Sequence, residues 1–269
     1  MTSQNRSFSS ESNLFLNRLF RTIRFTLNLI DCLKSAFLKK MAIKFFWCVY
    51  LLVGLFLFPL FRMRLLEYSW VCRHLGSGPM RILDVGCSGS LLPLYMASYG
   101  HYVFGIDLRG CFVSQFLGFS SAKGDMRKLP FRDVFFDRIV AVSSIEHVGA
   151  GWDRSFIPEM FRVLKDDGRV ILTFPYGKES GQVGGSRVYY DAKISSLLGG
   201  EFKMEKNGYM VRDSWRWGYV SKKQANKISY SISEARRRRD INSNVLLILS
   251  KNNEKSSLRK DGDLKNEAS

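Results

Sequence analysis

Two acidic residues and two glycines stand where apolar runs end, and their spacing is typical of a nucleotide-binding turn. The first run closes on Asp84 and is followed by Gly86 and Gly89. Glycines let the backbone approach a ligand closely, and the helix that follows such a turn offers unpaired N–H groups. Asp107 ends the next apolar run 23 residues after Asp84. An acid at about this distance can accept hydrogen bonds from both ribose hydroxyls.

The positions of the glycines separate three kinds of nucleotide site. A dinucleotide site of the G-x-G-x-x-G type would need glycine at positions 88 and 91, where Ser88 and Leu91 stand. A phosphate loop would need a lysine directly after its second glycine, and none follows Gly89. A nicotinamide-dependent oxidoreductase is therefore disfavoured, although it remains an alternative enzyme class.

The pattern that remains, Asp84-x-Gly86-x-x-Gly89, resembles motif I of the class I S-adenosylmethionine-dependent methyltransferases. Further elements follow in register: Gly124-Asp125-Met126, a fourth strand over 135–142, and a helix, glycine turn and fifth strand over 161–175. Their order resembles the methyltransferase type 11 group over roughly residues 78–178. Several linked elements that agree make a stronger signal than any one of them.

This resemblance implies S-adenosylmethionine as cofactor and assigns a role to each motif. Asp84 and the glycine turn would hold the amino-acid end, Asp107 the ribose, and Asp125 the adenine amino group, with Met126 packed on the ring. The expected cofactor-binding residues are Asp84, Gly86, Cys87, Ser88, Gly89, Asp107, Leu108, Asp125, Met126 and Ser143.

Glu146 and His147 are the residues expected to assist catalysis. They follow the fourth predicted strand, at the edge where a substrate would meet the cofactor. Methyl transfer from a sulfonium depends mainly on positioning and desolvation, but a hydroxyl acceptor needs a base within about 3 Å of its proton. The alternative role for both residues is to shape the loop after the strand.

The charge and the cysteines limit the partners and the environment. The net charge is +17, and much of it lies in two segments: residues 1–44 carry eight Lys or Arg against two acids, and residues 202–240 eleven against four. A basic surface suits anionic lipid, nucleic acid or acidic glycan. The five cysteines show no C-x-x-C spacing, which implies no disulfide framework or zinc site and favours a reducing compartment. The three histidines show no ligand spacing, and we expect no metal.

The alternation of apolar runs and helical segments predicts an α/β fold. The resemblance implies a Rossmann-like, seven-stranded, mainly parallel sheet with helices on both faces, and the sequence before it predicts an amphipathic and a hydrophobic helix. The expected divisions are a disordered start (1–12), a membrane-associating segment (13–62), a methyltransferase domain (63–250) and a disordered tail (251–269).

The N-terminal segment predicts association with a membrane, and the cytosolic methyl donor that the resemblance implies places the domain on the cytoplasmic face. Apolar residues recur at helical spacing over 16–37 among arginines and lysines, and residues 45–61 carry no charge. A helix buried in the core is the alternative. An anchor would favour a small-molecule, lipid or lipid-linked glycan acceptor; RNA is the second possibility, and a non-catalytic tethered protein the third. The methylated atom, the choice between spanning and lying in the membrane, and the oligomeric state stay open.

Overall fold

The computed structural model of this 269-residue chain describes most of the region from 59 to 252. The described stretches are 59–111, 115–116, 118–149, 154–213, 216–238 and 240–252, with single residues and pairs between 35 and 49. The predicted start (1–12), the basic amphipathic helix, most of the hydrophobic segment and most of the predicted tail lie outside these residues. No helix within the described stretches is both long and apolar enough to cross a membrane.

Helices and strands alternate along the described residues. The helices are α1 (Pro59–His74), α2 (Leu92–Ser98), α3 (Ile157–Val163), α4 (Asp191–Leu198), α5 (Lys222–Ile228) and α6 (Ile232–Arg238), with a 3-10 turn at Ile145–His147. The strands are β1 (Arg81–Val85), β2 (Tyr102–Asp107), β3 (Gln115–Phe116), β4 (Phe119–Lys123), β5 (Phe136–Val142), β6 (Leu164–Pro175), β7 (Gly181–Val183), β8 (Ser186–Val188), β9 (Phe202–Asp213), β10 (Arg216–Val220) and β11 (Ser243–Lys251).

One large sheet holds nine of these strands in the order β10-β9-β11-β6-β5-β1-β2-β4-β3. The five strands from β6 to β4 pair in parallel, and the remaining strands pair antiparallel at the two sides. The direction of strand succession reverses between β1 and β5. A crevice forms at such a reversal, outside the carboxyl ends of the strands, and it positions the site described below.

Helices cover both faces of the sheet, as the sequence predicts. The apolar residues of α1 and α2 pack in one core cluster, and those of α3, α4 and α5 pack in the other. The central strands are buried on both sides, which is why their sequences read as continuous apolar runs rather than alternating ones. The fold class is therefore confirmed.

The strand count differs from the predicted seven. The two additional strands are short and lie at the edges: β3 has two residues, and β10 pairs only with β9. The predicted glycine turn before the fifth strand is also absorbed into β6, where the pairing with β5 shifts register after Phe136. Edge pairing and bulges depend on tertiary contacts, which the apolar pattern does not encode.

A small hairpin forms over residues 181–188, in a glycine-rich stretch whose sequence shows no periodic pattern. Strands β7 and β8 pair antiparallel, and Val183 and Val188 pack with Ile232 and Ala235 of α6 in a separate apolar cluster. Only two apolar residues of the hairpin reach this cluster, which is too few for the sequence to show a period. The hairpin stands beside the carboxyl edge of the sheet, because Tyr189 directly after it bridges to Tyr176 after β6.

Candidate functional site

A cavity of about 810 Å³ lies at the carboxyl edge of β1, β2, β4 and β5. It brings together most of the residues that the sequence predicts for a cofactor site. Those lining it are Asp84, Gly86, Ser88, Gly89, Asp107, Leu108, Asp125, Met126 and Ser143, together with His147. Segments separated by up to sixty residues in sequence thus converge on one space.

The turn after β1 has the conformation that its glycines allow. Gly86 and Gly89 have φ of 84° and 72°, in the left-handed region that residues with a Cβ rarely adopt. A Cβ on Gly86 would also clash with Ser144, which lies on the turn after β5 and donates a 2.9 Å hydrogen bond to the carbonyl of Val85. Glycine is therefore required at 86 for both conformation and space.

Asp107 connects the ends of β1 and β2. Its Oδ2 accepts a 3.2 Å hydrogen bond from the backbone N–H of Ser88, and its Oδ1 accepts a 2.8 Å bond from that of Arg109. Each carboxylate oxygen can accept more than one hydrogen bond, so both can still accept from a diol in the cavity. The backbone contacts fix the orientation of this carboxylate in advance.

Asp84 is buried, with 3% of its surface exposed, yet its Oδ2 has no hydrogen-bond donor among the described residues. Burial, followed by the negative charge of Asp107, raises the pKa of Asp84 to about 7. A buried polar atom without a partner is costly and calls for a ligand or water. A cationic group in the cavity would satisfy Asp84 and lower its pKa.

Asp125 is engaged by its neighbour in the sequence. The guanidinium of Arg127 donates hydrogen bonds of 2.6 to 3.0 Å to both carboxylate oxygens. These hydrogen bonds lower the pKa of Asp125 from its ordinary value. The acid stays charged and lines the cavity, and Arg127 lines it as well.

Helix α1 supplies two lining residues that the motif analysis missed, Arg64 and Tyr68. Arg64 Nη1 donates a 2.8 Å hydrogen bond to Glu67 Oε2, and Tyr68 Oη lies 3.1 Å from Ser90 Oγ at the start of the α2 region. The sequence signal available for them was weak: a cation and a phenol on one helical face before the first strand. Gly185 of the β7–β8 turn is a third lining residue outside the motifs.

Cys87 is an exception among the expected cofactor residues. It does not line the cavity; it is buried and forms a disulfide with Cys111, in the segment after β2. The expectation that the cysteines form no disulfide is therefore wrong for this pair. A Cβ on Gly105 would lie 2.6 Å from Cys87 Sγ, so glycine in β2 makes room for the sulfur. The bond ties the glycine turn to the segment that follows Asp107.

Glu146 and His147 occupy the 3-10 turn after β5 but differ in access. His147 lines the cavity and 57% of its side chain is exposed, whereas Glu146 is buried and is not among the lining residues. Glu146 Oε1 lies 3.9 Å from His147 Nε2, while its Oε2 has no partner among the described residues. Burial raises the pKa of Glu146 to about 8. Of the two residues, only His147 can meet a substrate directly.

The described residues contain no group of three His, Cys, Asp or Glu side chains that could hold a metal ion. The acids of the cavity are Asp84 on β1, Asp107 on β2 and Asp125 in the segment after β4. Asp107 and Asp125 accept hydrogen bonds from other groups of the protein.

Comparison with known proteins finds similarity over part of this chain. Residues 83–172 match a family model described as a methyltransferase domain. Over these residues, about a third of the chain, the sequence is similar to that methyltransferase domain. The matched stretch contains the motif residues on which the resemblance in the sequence rests: Asp84, Gly86, Gly89, Asp107 and Asp125.

Two curated relatives and one solved structure illustrate the similarity of this methyltransferase domain. The 18S rRNA (guanine-N(7))-methyltransferase bud23 of Schizosaccharomyces pombe is 26% identical over 156 residues, covering 50% of this chain and 57% of that protein. The ubiquinone biosynthesis O-methyltransferase of Dechloromonas aromatica is 32% identical over 125 residues, covering 43% of this chain and 53% of that protein. The chain thus spans about half the length of these relatives.

The 1,6-didemethyltoxoflavin-N1-methyltransferase of Burkholderia thailandensis aligns with a TM-score of 0.50 and 14% identity, over 69% of this chain and 76% of that one. This likeness concerns the fold.

The cavity fits S-adenosylmethionine, the cofactor of this domain family. The cofactor carries an ammonium, which matches the unpartnered buried oxygen of Asp84, and a carboxylate, which matches the cation of Arg64. Its ribose diol matches the oriented carboxylate of Asp107. The turn at Gly86 lets the backbone approach such a ligand closely.

Proposed function

We propose that this protein binds S-adenosylmethionine in the cavity and transfers its methyl group to a nucleophilic oxygen or nitrogen of an acceptor. The observation that carries the proposal is the convergence of Asp84, Gly86, Asp107 and Asp125 on one cavity. When bound, the cofactor supplies the electrophilic methyl group. Calorimetry with S-adenosylmethionine, and separately with NAD, tests the assignment. Binding of NAD without binding of S-adenosylmethionine would overturn it.

Different residues around the cavity would bind different parts of the cofactor. Asp84 and Arg64 would hold the ammonium and the carboxylate of its amino-acid end. Asp107 would accept from the ribose hydroxyls, and Asp125 from the adenine amino group, with Met126 beside the ring. Oriented, partly buried groups of this kind fix the methyl group in position, which is the main source of acceleration for a displacement of this type.

His147 is the residue that we propose as base for an acceptor whose nucleophile carries a proton. It lies on the exposed side of the cavity, after β5, where an acceptor would meet the cofactor. The buried carboxyl of Glu146 would contact the imidazole of His147, since its Oε1 lies 3.9 Å from Nε2. Below a pH of about 8 Glu146 is largely protonated, so its role is to position His147 rather than to remove a proton from the acceptor.

We propose a small-molecule, lipid or lipid-linked glycan acceptor, bound near the cytoplasmic face of a membrane. The support is the sequence before α1, with its basic amphipathic pattern followed by 17 residues without a charge. Carbonate washing of membranes tests the attachment. Recovery of the whole protein in the wash would remove the membrane part of the proposal and leave the methyl transfer standing.

RNA is the alternative acceptor, and one observation favours it: a relative that matches half of this chain is named as an rRNA methyltransferase. A screen with labelled methyl donor and separate lipid, glycan and RNA fractions decides between these classes. Label in the RNA fraction alone would replace the lipid or glycan acceptor. Cofactor binding without label in any fraction would favour a non-catalytic tethered protein.

A further inference from the structure

A second cavity, of about 470 Å³, lies between the last turns of α1 and strands β9 and β10. Its walls combine the aromatic residues Trp70 and Tyr219 with the cations Arg73 and Lys206. It shares no lining residue with the cofactor cavity. Nine residues of helix separate Arg64 at the first cavity from Arg73 at the second, a rise of about 14 Å.

The aromatic wall is held in place by the backbone around it. The ring edge of Trp70 lies close to Gly208 of β9, where an added Cβ would come within 2.8 Å of it. Tyr219 of β10 donates a 2.6 Å hydrogen bond to the carbonyl of Leu66 in α1, and its ring centroid lies 6.3 Å from that of Trp70. Tyr219 is nevertheless 41% exposed. The cavity therefore presents a ring face whose orientation is already fixed, which lowers the entropy lost when a ligand stacks on it.

The cations of this cavity have no carboxylate to neutralise them. Within the described part of the chain neither Arg73 nor Lys206 forms an ion pair, and the lining includes no acid. Lys206 Nζ lies 3.1 Å from His74 Nε2 and 5.5 Å from the centroid of Trp70. Because Nδ1 of His74 lies 2.8 Å from the carbonyl of Trp70 and must donate to it, Nε2 is left to accept from Lys206. The ammonium is thus held at the cavity.

We propose that this second cavity binds a nucleotide, with its base stacked on Tyr219 and its phosphate held by Arg73 and Lys206. Stacking on a fixed ring combined with nearby uncompensated cations is the way proteins hold single-stranded nucleic acid without reading its sequence. A phosphate that carries no base could contact the cations, but it would make no stacking contact with the aromatic wall. The ligand can be a free nucleotide or one unit of an RNA strand. The site stands apart from methyl transfer and does not depend on the proposed function.

Calorimetric titration of the full chain tests the site. Saturating S-adenosylhomocysteine keeps the first cavity filled, and the titrants are uridine 5′-monophosphate, a five-residue oligouridylate and inorganic phosphate. We expect the two uridine ligands to bind at least several-fold more tightly than phosphate. Tighter binding of the oligouridylate identifies an RNA strand as the source, and equal binding identifies a free nucleotide. Binding of neither, or phosphate binding equal to that of both, overturns the proposal.

Matched variants separate this site from general attraction by a basic protein. Lys206→Gln combined with Arg73→Gln should weaken binding about tenfold or more, whereas Lys203→Gln, an exposed residue on the same strand outside the cavity, should change it less than twofold. Tyr219→Ala should weaken binding by about fivefold or more through lost stacking, whereas Tyr219→Phe keeps the ring, loses only the hydrogen bond to Leu66, and should weaken binding less. Retained binding of S-adenosylhomocysteine verifies folding. Equal losses of affinity for Lys203→Gln and for the double variant at Arg73 and Lys206 would contradict the assignment.

Discussion

Glu67 of α1 accepts a 2.6 Å hydrogen bond from the hydroxyl of Thr173 in β6, across 106 residues of sequence. The same fully buried carboxyl also accepts from Ser143, Asn244 and Arg64. One side chain thus joins the N-terminal helix to three parts of the sheet and holds a lining residue of the cofactor cavity. Helix α1 therefore helps to form the cofactor cavity, through Arg64 and Tyr68.

Replacing Glu67 by leucine should destabilise the protein markedly. The substitution would leave four donors without their acceptor: Thr173 and Asn244 are buried, whereas Ser143 and Arg64 are partly exposed. An unsatisfied buried donor costs about 1–3 kcal/mol, so the total loss should be about 3 kcal/mol or more. Urea unfolding measures the change in the free energy of unfolding. Glu205→Leu is the control, because its ion pair with Arg169 is exposed and should contribute less than about 1 kcal/mol. Equal effects of the two substitutions would contradict the role assigned to Glu67.

Cofactor affinity should depend on the protonation of Asp84. The pKa of this carboxyl is raised to about 7 in the unliganded protein, and an ammonium ligand requires the ionised form, so binding below pH 7 must release a proton. The dissociation constant should therefore rise as pH falls from 7 to 5.5, by up to about tenfold per pH unit. Calorimetry over this range measures it.

The Asp84→Asn variant provides the comparison for that pH series. It should bind more weakly at pH 7 and show little dependence on pH, because the amide does not titrate. If the affinity of the wild type does not change between pH 5.5 and 7, the proposed contact between Asp84 and the ammonium of the cofactor is wrong.

His147→Ala should lower turnover on a hydroxyl acceptor while leaving cofactor affinity nearly unchanged. Removal of a general base typically costs about 10² to 10⁴ in rate. Single-turnover rates with the acceptor found in the screen, together with cofactor titration, separate the two effects. His101→Ala is a control, since that histidine is buried and does not line the cavity. Unchanged turnover in His147→Ala would leave this residue with a role in loop shape only.

Reduction of the bond between Cys87 and Cys111 should loosen the glycine turn. The bond closes a segment of 24 residues, and a cross-link of that length contributes roughly 3 kcal/mol in the chain-entropy description. Dithiothreitol, or Cys111→Ser, should lower thermal stability and weaken cofactor binding. Cys72→Ser, at a free cysteine, is the matched control. Thermal stability that is the same with and without reductant would show that the pair does not stabilise the fold.

The sequence was sufficient for the motif residues because each of them stands at a strand end. Asp84 and Asp107 close apolar runs, and parallel strands bring their carboxyl ends to one edge, so order along the chain translates into proximity.

Long-range contacts explain what the sequence left out. Arg64 and Tyr68 reach the cofactor cavity because α1 is held against the sheet by its apolar residues and by the hydrogen bonds of Glu67, and no spacing rule encodes those contacts. The β7–β8 hairpin is stabilised by α6, about fifty residues later in the chain. The separation of Glu146, buried, from His147, at the cavity, depends on the turn after β5 rather than on residue type.

A calorimetric titration of the full chain with S-adenosylhomocysteine tests the central claim most directly, with Asp107→Asn as the variant. The account predicts one site per chain, and a loss of about 30-fold or more in the variant, because two hydrogen bonds from the ribose to a charged acceptor are weakened. Asp133→Asn, whose acid pairs with Arg162 away from the cavity, should bind as the wild type does. No binding at millimolar concentration, or equal affinity in wild type and Asp107→Asn, would contradict the account.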